Sequence, residues 1–330
     1  TAFSTPRRLT LFITGLPEKS HDMIEERKGP RVDAPQTAID GFLRGVDLEL
    51  DQLNVKRDGN VDKYFASIKT PGRISTQIVA EALEKTIRTF PWPKSMRWGV
   101  SSLKWVRPLK GILCIFIKDA EHQVIDLQID GIRSDSFTTG HRFMAPDRFS
   151  VKDFEDYKQK LRNAFVILDH RERSEIILND ANNLAFAHGL DLIKDDALLE
   201  EVSGLVEWPV ALLGKVDNAF LDLPSEVLKT SMKEHQKFFS LKNPKTEKIE
   251  RFITVSNIES ADNGATILEG NQKVLYSRLS DAKFFWENDL RLIRKDGLDT
   301  WLEKLKEVMF HNKLGSQADK ASRISALTKK

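Results

Sequence analysis

The stretch "DDALLEEVSGLVEWPVALLGKV", residues 195–216, changes its hydrophobic pattern at a single proline. Its first half spaces apolar residues as one face of a helix does, and it predicts a helix that ends before Pro209. Its second half, "VALLGKV" at 210–216, is the short apolar run of a buried strand. One stretch therefore holds a helix and the strand that follows it, which indicates a fold of mixed α and β elements.

The same reasoning predicts elements in both directions from this stretch. Runs rich in Ile, Val, Phe and Thr that stop at Gly or Pro predict strands, and apolar residues at helical spacing behind a capping residue predict helices. The predicted strands cover 7–16, 64–69 and 251–258, and a predicted hairpin joins 109–117 to 123–129 through the turn "KDAEH". The predicted helices cover 34–46, 75–90, 154–188, 223–236 and nearly everything from Asn271 onward.

The predicted fold class is therefore α+β: a mixed α/β portion with antiparallel strands, followed by an all-helical C-terminal segment. Gly and Pro in the loop "FTTGHRFMAPDRFSV" indicate a domain boundary near Pro146, and the helical pattern begins at Asn271. We expect three domains: a mixed α/β domain over 1–146 with a basic Trp-rich loop, a second α+β domain over 147–270, and a helical segment over 271–330.

The composition of the 330 residues is typical of a globular protein, with 40% hydrophobic and 30% charged residues. The longest apolar run, Gly111 to Ile117, is far shorter than a membrane-spanning helix, and it predicts a buried strand. The single cysteine, Cys114, lies in this run and is expected to be a buried thiol in a reducing compartment. No secretory signal follows Thr1, so we expect a cytoplasmic location.

The net charge is only +2, which excludes a uniformly basic nucleic-acid binder, but the charge is unevenly distributed. From Lys85 to Lys118 the chain has eight cations and no acidic residue. Inside that segment, "PWPKSMRWGVSSLKWVRPLKG" (Pro91 to Gly111) holds three of the six tryptophans. The cations of the inner stretch are Lys94, Arg97, Lys104, Arg107 and Lys110.

Two explanations of this Trp-rich stretch stay open. Lys and Arg bind phosphate oxygens, and unpaired RNA bases stack on Trp, so the stretch is typical of an RNA-binding surface. Alternatively, Trp98 and Trp105 are core residues that anchor a loop, with the cations simply solvated.

Sequence motifs for catalysis or metal binding are lacking. The seven histidines show no metal-ligand spacing, and the adjacent His21-Asp22 stands in a loop rich in Pro and charge. The segment "GATILEGNQK" fails the spacing of a phosphate loop. We therefore expect no catalytic residue and no metal ligand in this chain.

Read in order along the chain, several motifs resemble one family, the β subunit of the bacterial two-subunit glycyl-tRNA synthetase. The motifs are "PRRLTLFITGL", "ERKGP", "PKSMRWG", "VRPLKGI", "GHRFMAP", "LLEEVSGLVEWPVALLGKV", "LKTSMKEHQKFF", "VSNIES", "GNQKVLYSRLSDAKFFWE" and "NKLGSQADK". They span essentially the whole chain. The resemblance implies an N-terminal to central fragment, whose last helices begin a truncated HD-like domain.

The resemblance also implies a function. Family members take part in the ATP-dependent attachment of glycine to tRNA(Gly), in an α2β2 heterotetramer. The catalytic centre, with ATP and magnesium, belongs to the α subunit, so this chain alone is expected to hold no cofactor and to be inactive. It would contribute tRNA binding and assembly, and it would not contact a membrane.

From the residues we expect a tRNA-facing surface built from Arg7, Arg8, Lys94, Arg97, Trp98, Arg107 and Arg142. Arg7 and Arg8 could instead be a solvated strand end, Arg142 could pair with an acid to fix its loop, and His141 is expected to be a structural hydrogen-bonder. For the chain as a whole, one alternative is a pure scaffold that docks the α subunit while tRNA contacts lie in further C-terminal domains. Another is a metal phosphohydrolase, which the HD-like end suggests.

Overall fold

The computed structural model describes residues 1–119 and 121–329, without the side chain of Thr300. The chain divides into two compact units, and each is assembled from separate segments. Unit 1 consists of Thr1, Leu11–Gly140 and Asp147–Lys160, and unit 2 of Ala2–Thr10, His141–Pro146 and Leu161–Lys330. The three expected domains, 1–146, 147–270 and 271–330, stay a prediction.

The first part of the chain builds small sheets and two helices. Strands β1 (Ala2–Thr5) and β2 (Arg8–Leu11) pair with each other. Next come β3 (Met23–Arg31), α1 (Gln36–Val46), β4 (Asn54–Asp58), β5 (Val61–Thr70) and α2 (Ser75–Thr89). The three strands of this group form an antiparallel sheet in the order β3-β5-β4, and α1 packs on β3 with Phe42 against Gly29.

Seven short strands follow α2. They are β6 (Ile112–Leu113), β7 (Ile115–Lys118), β8 (Glu121–Val124), β9 (Gln128–Ile129), β10 (Ile132–Asp135), β11 (Phe137–Thr139) and β12 (Arg148–Ser150). The pairs β7-β8 and β11-β12 are antiparallel hairpins, whereas β6 runs parallel to β10 in a sheet ordered β6-β10-β9. The predicted hairpin is confirmed in β7 and β8; Ala120 of its predicted turn lies outside the described residues.

The later part of the chain is organised on one four-stranded antiparallel sheet. Its elements are α3 (Phe154–Asn163), α4 (His170–Ala187), β13 (Asp191–Leu192), α5 (Asp196–Ser203), β14 (Val210–Lys215), α6 (Ser225–Thr230), β15 (Phe239–Lys242) and β16 (Ile249–Ser256). The strand order is β13-β15-β16-β14. Ile253 belongs to one buried cluster, with α4 and α5, and its neighbour Phe252 belongs to another. Because successive strand residues point to opposite faces, β16 is buried on both sides at Phe252 and Ile253.

The last elements are α7 (Ala265–Asp296), α8 (Asp299–Lys304), β17 (Met309–His311), β18 (Gly315–Ser316) and α9 (Gln317–Thr328). The prediction of an all-helical segment is therefore wrong at β17 and β18, which form an antiparallel hairpin. The physical reason is local: Gly315 has φ +81°, and Ser316 caps α9 through a reciprocal hydrogen-bond pair with Asp319.

Three other expectations need correction. The strand predicted over 7–16 ends at Leu11. The helix predicted over 154–188 is two helices, because Phe165 has φ +58° and the buried residues Val166 to Leu168 form an extended link. The predicted buried strand Gly111 to Ile117 is two short strands on either side of Cys114, which is only half-buried.

Within residues 1–119 and 121–329, no helix has both the length and the apolar character needed to cross a bilayer.

Candidate nucleic-acid interface

The Trp-rich stretch is built around a cluster of three aromatic rings in unit 1. Phe90 and Trp92 have ring centroids 4.5 Å apart, and Trp92 meets Trp105 edge-on at 4.9 Å. Two backbone hydrogen bonds join Met96 to Trp105, with N···O distances of 2.8 and 3.2 Å, and close the loop between them. The loop is therefore held by its own aromatic packing and backbone pairing.

Asp130, which lies outside the stretch, fixes the same loop. Its carboxylate accepts hydrogen bonds from the Ser101 hydroxyl at 2.5 Å, the Leu103 N–H at 2.8 Å and the Arg88 guanidinium at 3.1 Å. These donors, with Ser101 the strongest, lower the pKa of Asp130 to about 2. The loop is thus anchored by an acid that the sequence places well away from it.

Trp98 and Trp105 both pack against the buried cluster of Leu103, Leu127 and Ile129, and both are half-buried. The anchoring explanation therefore describes part of their role. Their rings are only partly available to a ligand.

The cations of the stretch are exposed, whereas two of the three cations that flank it, Arg88 and Lys118, are paired. Arg88 pairs with Glu84 and Asp130, and Lys118 pairs with Glu18. In contrast, none of the five inner cations makes an ion pair within the described part of the chain. These five are Lys94, Arg97, Lys104, Arg107 and Lys110.

The other predicted cations lie in unit 2, where Arg7 and Arg8 lie beside the fully buried carboxylate of Glu207. Thr5, at the end of β1, accepts hydrogen bonds from the backbone N–H groups of Arg7 and Arg8, and its hydroxyl donates to Glu207 Oε1 at 2.7 Å. The Arg8 guanidinium also donates to Oε1, while Arg7 Nη1 lies 3.8 Å from Oε2. The turn between β1 and β2 therefore carries both arginines to one acid.

The Arg8 side chain is 11% exposed and the Arg7 side chain is 29% exposed. Burial lowers the pKa of Arg7, and the neighbouring charges of Arg8 and Arg142 act in the same direction, opposed by Glu207. Of these arginines, Arg8 is thus used to neutralise the buried acid, whereas Arg7 retains donors at the surface.

A third arginine, Arg173, is completely buried and bound by backbone oxygens. Its guanidinium donates to the carbonyls of Ile167, Leu168, Ser203 and Ser4 at 2.7 to 3.0 Å. Arg173 therefore fixes the link between α3 and α4 and the start of the chain within unit 2.

The loop His141–Pro146 carries the last predicted cation, Arg142, whose charge acts on Arg7. His141 is 1% exposed, and its Nδ1 accepts hydrogen bonds from the N–H groups of Phe143 at 3.4 Å and Met144 at 3.2 Å. Arg142 is exposed, lies over the Phe143 ring at 5.4 Å from its centroid, and makes no ion pair in the described part of the chain. His141 is thus the structural hydrogen-bonder that we expected, and no acid among the described residues pairs with Arg142 to fix its loop.

The structure brings together Arg7, Arg8 and Arg142, all in unit 2, and places Lys94, Arg97, Trp98 and Arg107 in unit 1. Sequence reasoning missed Glu207, Phe143 and Asp130. Glu207 had one signal, since it is a lone acid between Val206 and Trp208 in an otherwise apolar run. Its backbone N–H and that of Trp208 both donate to the Asn257 side chain.

One Ser–His pair lies within hydrogen-bond distance in unit 2. Ser203 Oγ lies 2.7 Å from His170 Nε2, but Ser203 is fully buried and its hydroxyl donates to the Glu200 carbonyl at 3.0 Å. The Glu200 carboxylate approaches the same ring nitrogen at 3.7 Å rather than Nδ1. This arrangement differs from a catalytic triad, so the pair is structural.

Known proteins resemble the chain over its full length. The family model described as glycyl-tRNA synthetase beta subunit matches residues 1–330. A glycine–tRNA ligase beta subunit of Ruegeria sp. (strain TM1040) is 60% identical over 329 residues, which are 99% of this chain and 48% of that protein. The protein of the same name in Phenylobacterium zucineum (strain HLK1) is 52% identical over 327 residues, 98% of this chain and 47% of that protein.

The chain spans about half the length of the curated relatives it matches. The match nevertheless includes the Trp-rich stretch, the turn with Arg7 and Arg8, and the loop at His141. The chain therefore belongs to the glycyl-tRNA synthetase beta subunit family.

Proposed function

We propose that this chain is the part of a glycine–tRNA ligase β subunit that binds tRNA(Gly) and assembles with a catalytic α subunit. The observation that carries the proposal is the Trp-rich stretch, whose five exposed cations have no acidic partner within the described residues. Exposed cations on a loop fixed by aromatic packing and by Asp130 are suited to the phosphates of an RNA backbone.

The electrostatic reasoning concerns the five inner cations, which are neighbours in an acid-free segment. A cation already paired with a carboxylate must lose that partner before it binds a phosphate, whereas an unpaired cation only releases water and counterions. Among the eight cations from Lys85 to Lys118, Arg88 and Lys118 are paired, whereas Lys85 on α2 and the five inner ones make no ion pair with a described residue. The inner cations are therefore the ones that we propose to face tRNA, with Lys94, Arg97 and Arg107 among them.

The remaining parts of the proposal follow from family membership. The α subunit would hold the catalytic centre with ATP and magnesium, and two copies of each subunit would form an α2β2 enzyme that glycylates tRNA(Gly) in the cytoplasm. The helices from Asn271 onward would begin an HD-like domain. This chain alone would be inactive.

The test is a salt titration of tRNA(Gly) binding with the double variant Arg97→Ala, Arg107→Ala. We expect weaker binding and a plot of log K against log salt that is less steep by roughly 1.4 to 1.8, since each phosphate contact contributes roughly 0.7 to 0.9. The matched control is Arg27→Ala with Arg31→Ala, which removes the same charge from cations paired with Glu25 and Asp33. Equal affinity and slope in wild type and the Arg97, Arg107 variant would contradict the proposal.

A second candidate function is a scaffold that docks the α subunit, with tRNA bound by parts of the relatives that this chain does not cover. The observation that favours it is the aromatic surface of α7, where Phe284 and Phe285 are 67% and 62% exposed. This alternative predicts that Phe284→Ser with Phe285→Ser abolishes association with the α subunit, while the chain alone binds no tRNA.

A further inference from the structure

The loop His141–Pro146 presents a large aromatic ring to solvent on a rigid support. Phe143 is 69% exposed although it is flanked by well-ordered contacts. His141 is buried beneath it, and its own N–H donates to the Ala164 carbonyl at 2.8 Å while its carbonyl accepts from Ala145 at 3.0 Å. On the other side, the Met144 sulfur accepts a hydrogen bond from the Glu259 N–H at 3.4 Å. The loop therefore fixes Phe143 outward rather than leaving it to fold back onto the surface.

Positive charge is in excess beside this ring. The charges of Glu207, Arg8 and Arg142 all act on Arg7, and Arg8 together with Thr5 occupies Oε1 of Glu207. Arg7 reaches Oε2 only at 3.8 Å. Arg142 stacks over Phe143 and makes no ion pair with a described residue. Arg142 is thus exposed and lies over an exposed aromatic ring, and the neighbouring Arg7 side chain is 29% exposed.

We propose that Arg7, Arg142 and Phe143 form a binding site for one unpaired nucleotide of RNA, with its phosphate on the arginines and its base stacked on Phe143. The inference rests on the proposed function, because it assumes that the chain binds RNA. An acidic peptide would satisfy the guanidinium groups but would leave the flat ring without a partner of matching shape. A nucleotide supplies both a phosphate and a flat base, so it satisfies all three side chains.

The site differs in chemistry from the Trp-rich stretch. There the tryptophans are half-buried, so that stretch offers mainly charge, and the expected contacts are with the backbone of folded RNA. Phe143 is 69% exposed even with Arg142 over its ring, so the expected partner is a nucleotide that is not base-paired. Removing Phe143 should therefore weaken binding without changing its dependence on salt, because no charge is lost.

The test uses the chain with three labelled probes: hexa-adenylate, which has only unpaired bases, a short RNA duplex, and tRNA(Gly). We expect Phe143→Ala to weaken hexa-adenylate binding about tenfold or more, with an unchanged salt slope. Phe143→Trp should keep wild-type affinity, since it retains the stacking surface. Arg142→Gln should weaken binding and reduce the slope by roughly 0.7 to 0.9.

Phe186→Ala is the matched control, because Phe186 is 87% exposed in the same unit and should not affect binding. Since Phe143 is also exposed, we expect Phe143→Ala to unfold at the wild-type temperature. The inference is overturned if Phe143→Ala binds hexa-adenylate as wild type does, if wild type fails to bind it at low salt, or if the duplex competes as well as the single strand. It is also overturned if Phe143→Ala and Arg142→Gln bind RNA as wild type does but no longer bind the α subunit.

The two proposals can fail separately. If Arg97→Ala with Arg107→Ala changes tRNA binding while Phe143→Ala changes nothing, the proposed function stands and the nucleotide site does not. If Phe143→Ala loses hexa-adenylate but the chain does not bind tRNA(Gly), the nucleotide site stands and the proposed tRNA function does not.

Discussion

At the scale of single residues, the buried carboxylate of Glu207 positions the turn that carries Arg7 and Arg8. It is the buried acid beside Arg7 and Arg8, and the Thr5 hydroxyl completes the hydrogen bonds of Oε1. A buried ion pair contributes little net stability over an apolar pair, but removing one partner leaves an uncompensated charge. The main role of Glu207 is therefore to hold Arg7 and Arg8 in place. The ion pair itself adds little net stability.

We predict that Glu207→Gln lowers the free energy of unfolding by about 3 kcal/mol, because the glutamine keeps the shape but removes the negative charge to which the Arg8 guanidinium donates. Urea unfolding followed by circular dichroism measures the change. The control is Asp222→Asn, which removes an acid from an exposed pair with Lys248 and should leave the midpoint unchanged. Equal midpoints for Glu207→Gln and wild type would show that Arg8 does not depend on this acid.

His141 gives a pH-dependent prediction. Burial lowers its pKa and the charges of Arg7 and Arg8 act in the same direction, while Glu207 and the Asn257 backbone oppose them. The folded protein therefore keeps His141 neutral at a pH where the unfolded chain, with a pKa of about 6.5, already binds the proton. Stability from this group is complete above about pH 6.5 and is lost as the pH falls below it.

The variant His141→Asn retains an acceptor for the Phe143 and Met144 N–H groups but cannot titrate. We expect the urea midpoint to fall less between pH 7 and pH 5 in His141→Asn than in wild type. If the urea midpoint falls equally in the two proteins, His141 is not the group responsible for the loss of stability.

At the scale of elements, close packing limits which substitutions a strand tolerates. A Cβ atom added to Gly214 in β14 would lie 2.1 Å from the Phe252 ring, and that ring is fully buried and stacked on Phe238 at 4.5 Å. Gly270, in α7, has open space around it. Two Gly→Ala substitutions in one unit therefore probe opposite effects.

We predict that Gly214→Ala lowers the free energy of unfolding by about 1 to 3 kcal/mol, because the buried ring has no room to move. Gly270→Ala should raise it by about 0.5 to 1 kcal/mol, because alanine restricts the unfolded chain and favours a helix. Thermal melts of both variants check the signs. A neutral or stabilised Gly214→Ala would mean that β14 and β16 are less tightly packed than their geometry indicates.

Elements with local signals were predictable from the sequence. The helix predicted over 75–90 is α2, Ser75–Thr89, and the strand at 210–216 is β14, Val210–Lys215. Elements that depend on an unusual backbone conformation were not predictable. The break at Phe165 requires a positive φ, which is uncommon for an aromatic residue. The hairpin after α8 was missed because its short strands have no hydrophobic alternation of their own.

At the scale of the whole molecule, charge distribution rather than net charge carries the functional argument. The chain has 51 cations and 49 acids, yet five neighbouring cations have no acidic partner within the described residues. The sequence could predict this local excess of positive charge, since the acid-free segment is contiguous. It could not predict that Arg8 is committed to Glu207, because the two residues are 199 positions apart and meet only through the tertiary fold.

The most direct test of the central claim is an anisotropy titration of this chain with tRNA(Gly) over a range of salt concentrations. If the five inner cations engage phosphates, log K should fall with log salt at a slope of roughly −3.5 to −4.5. Absence of binding at low salt, or a slope near zero, would contradict the account and assign tRNA capture to another part of the enzyme.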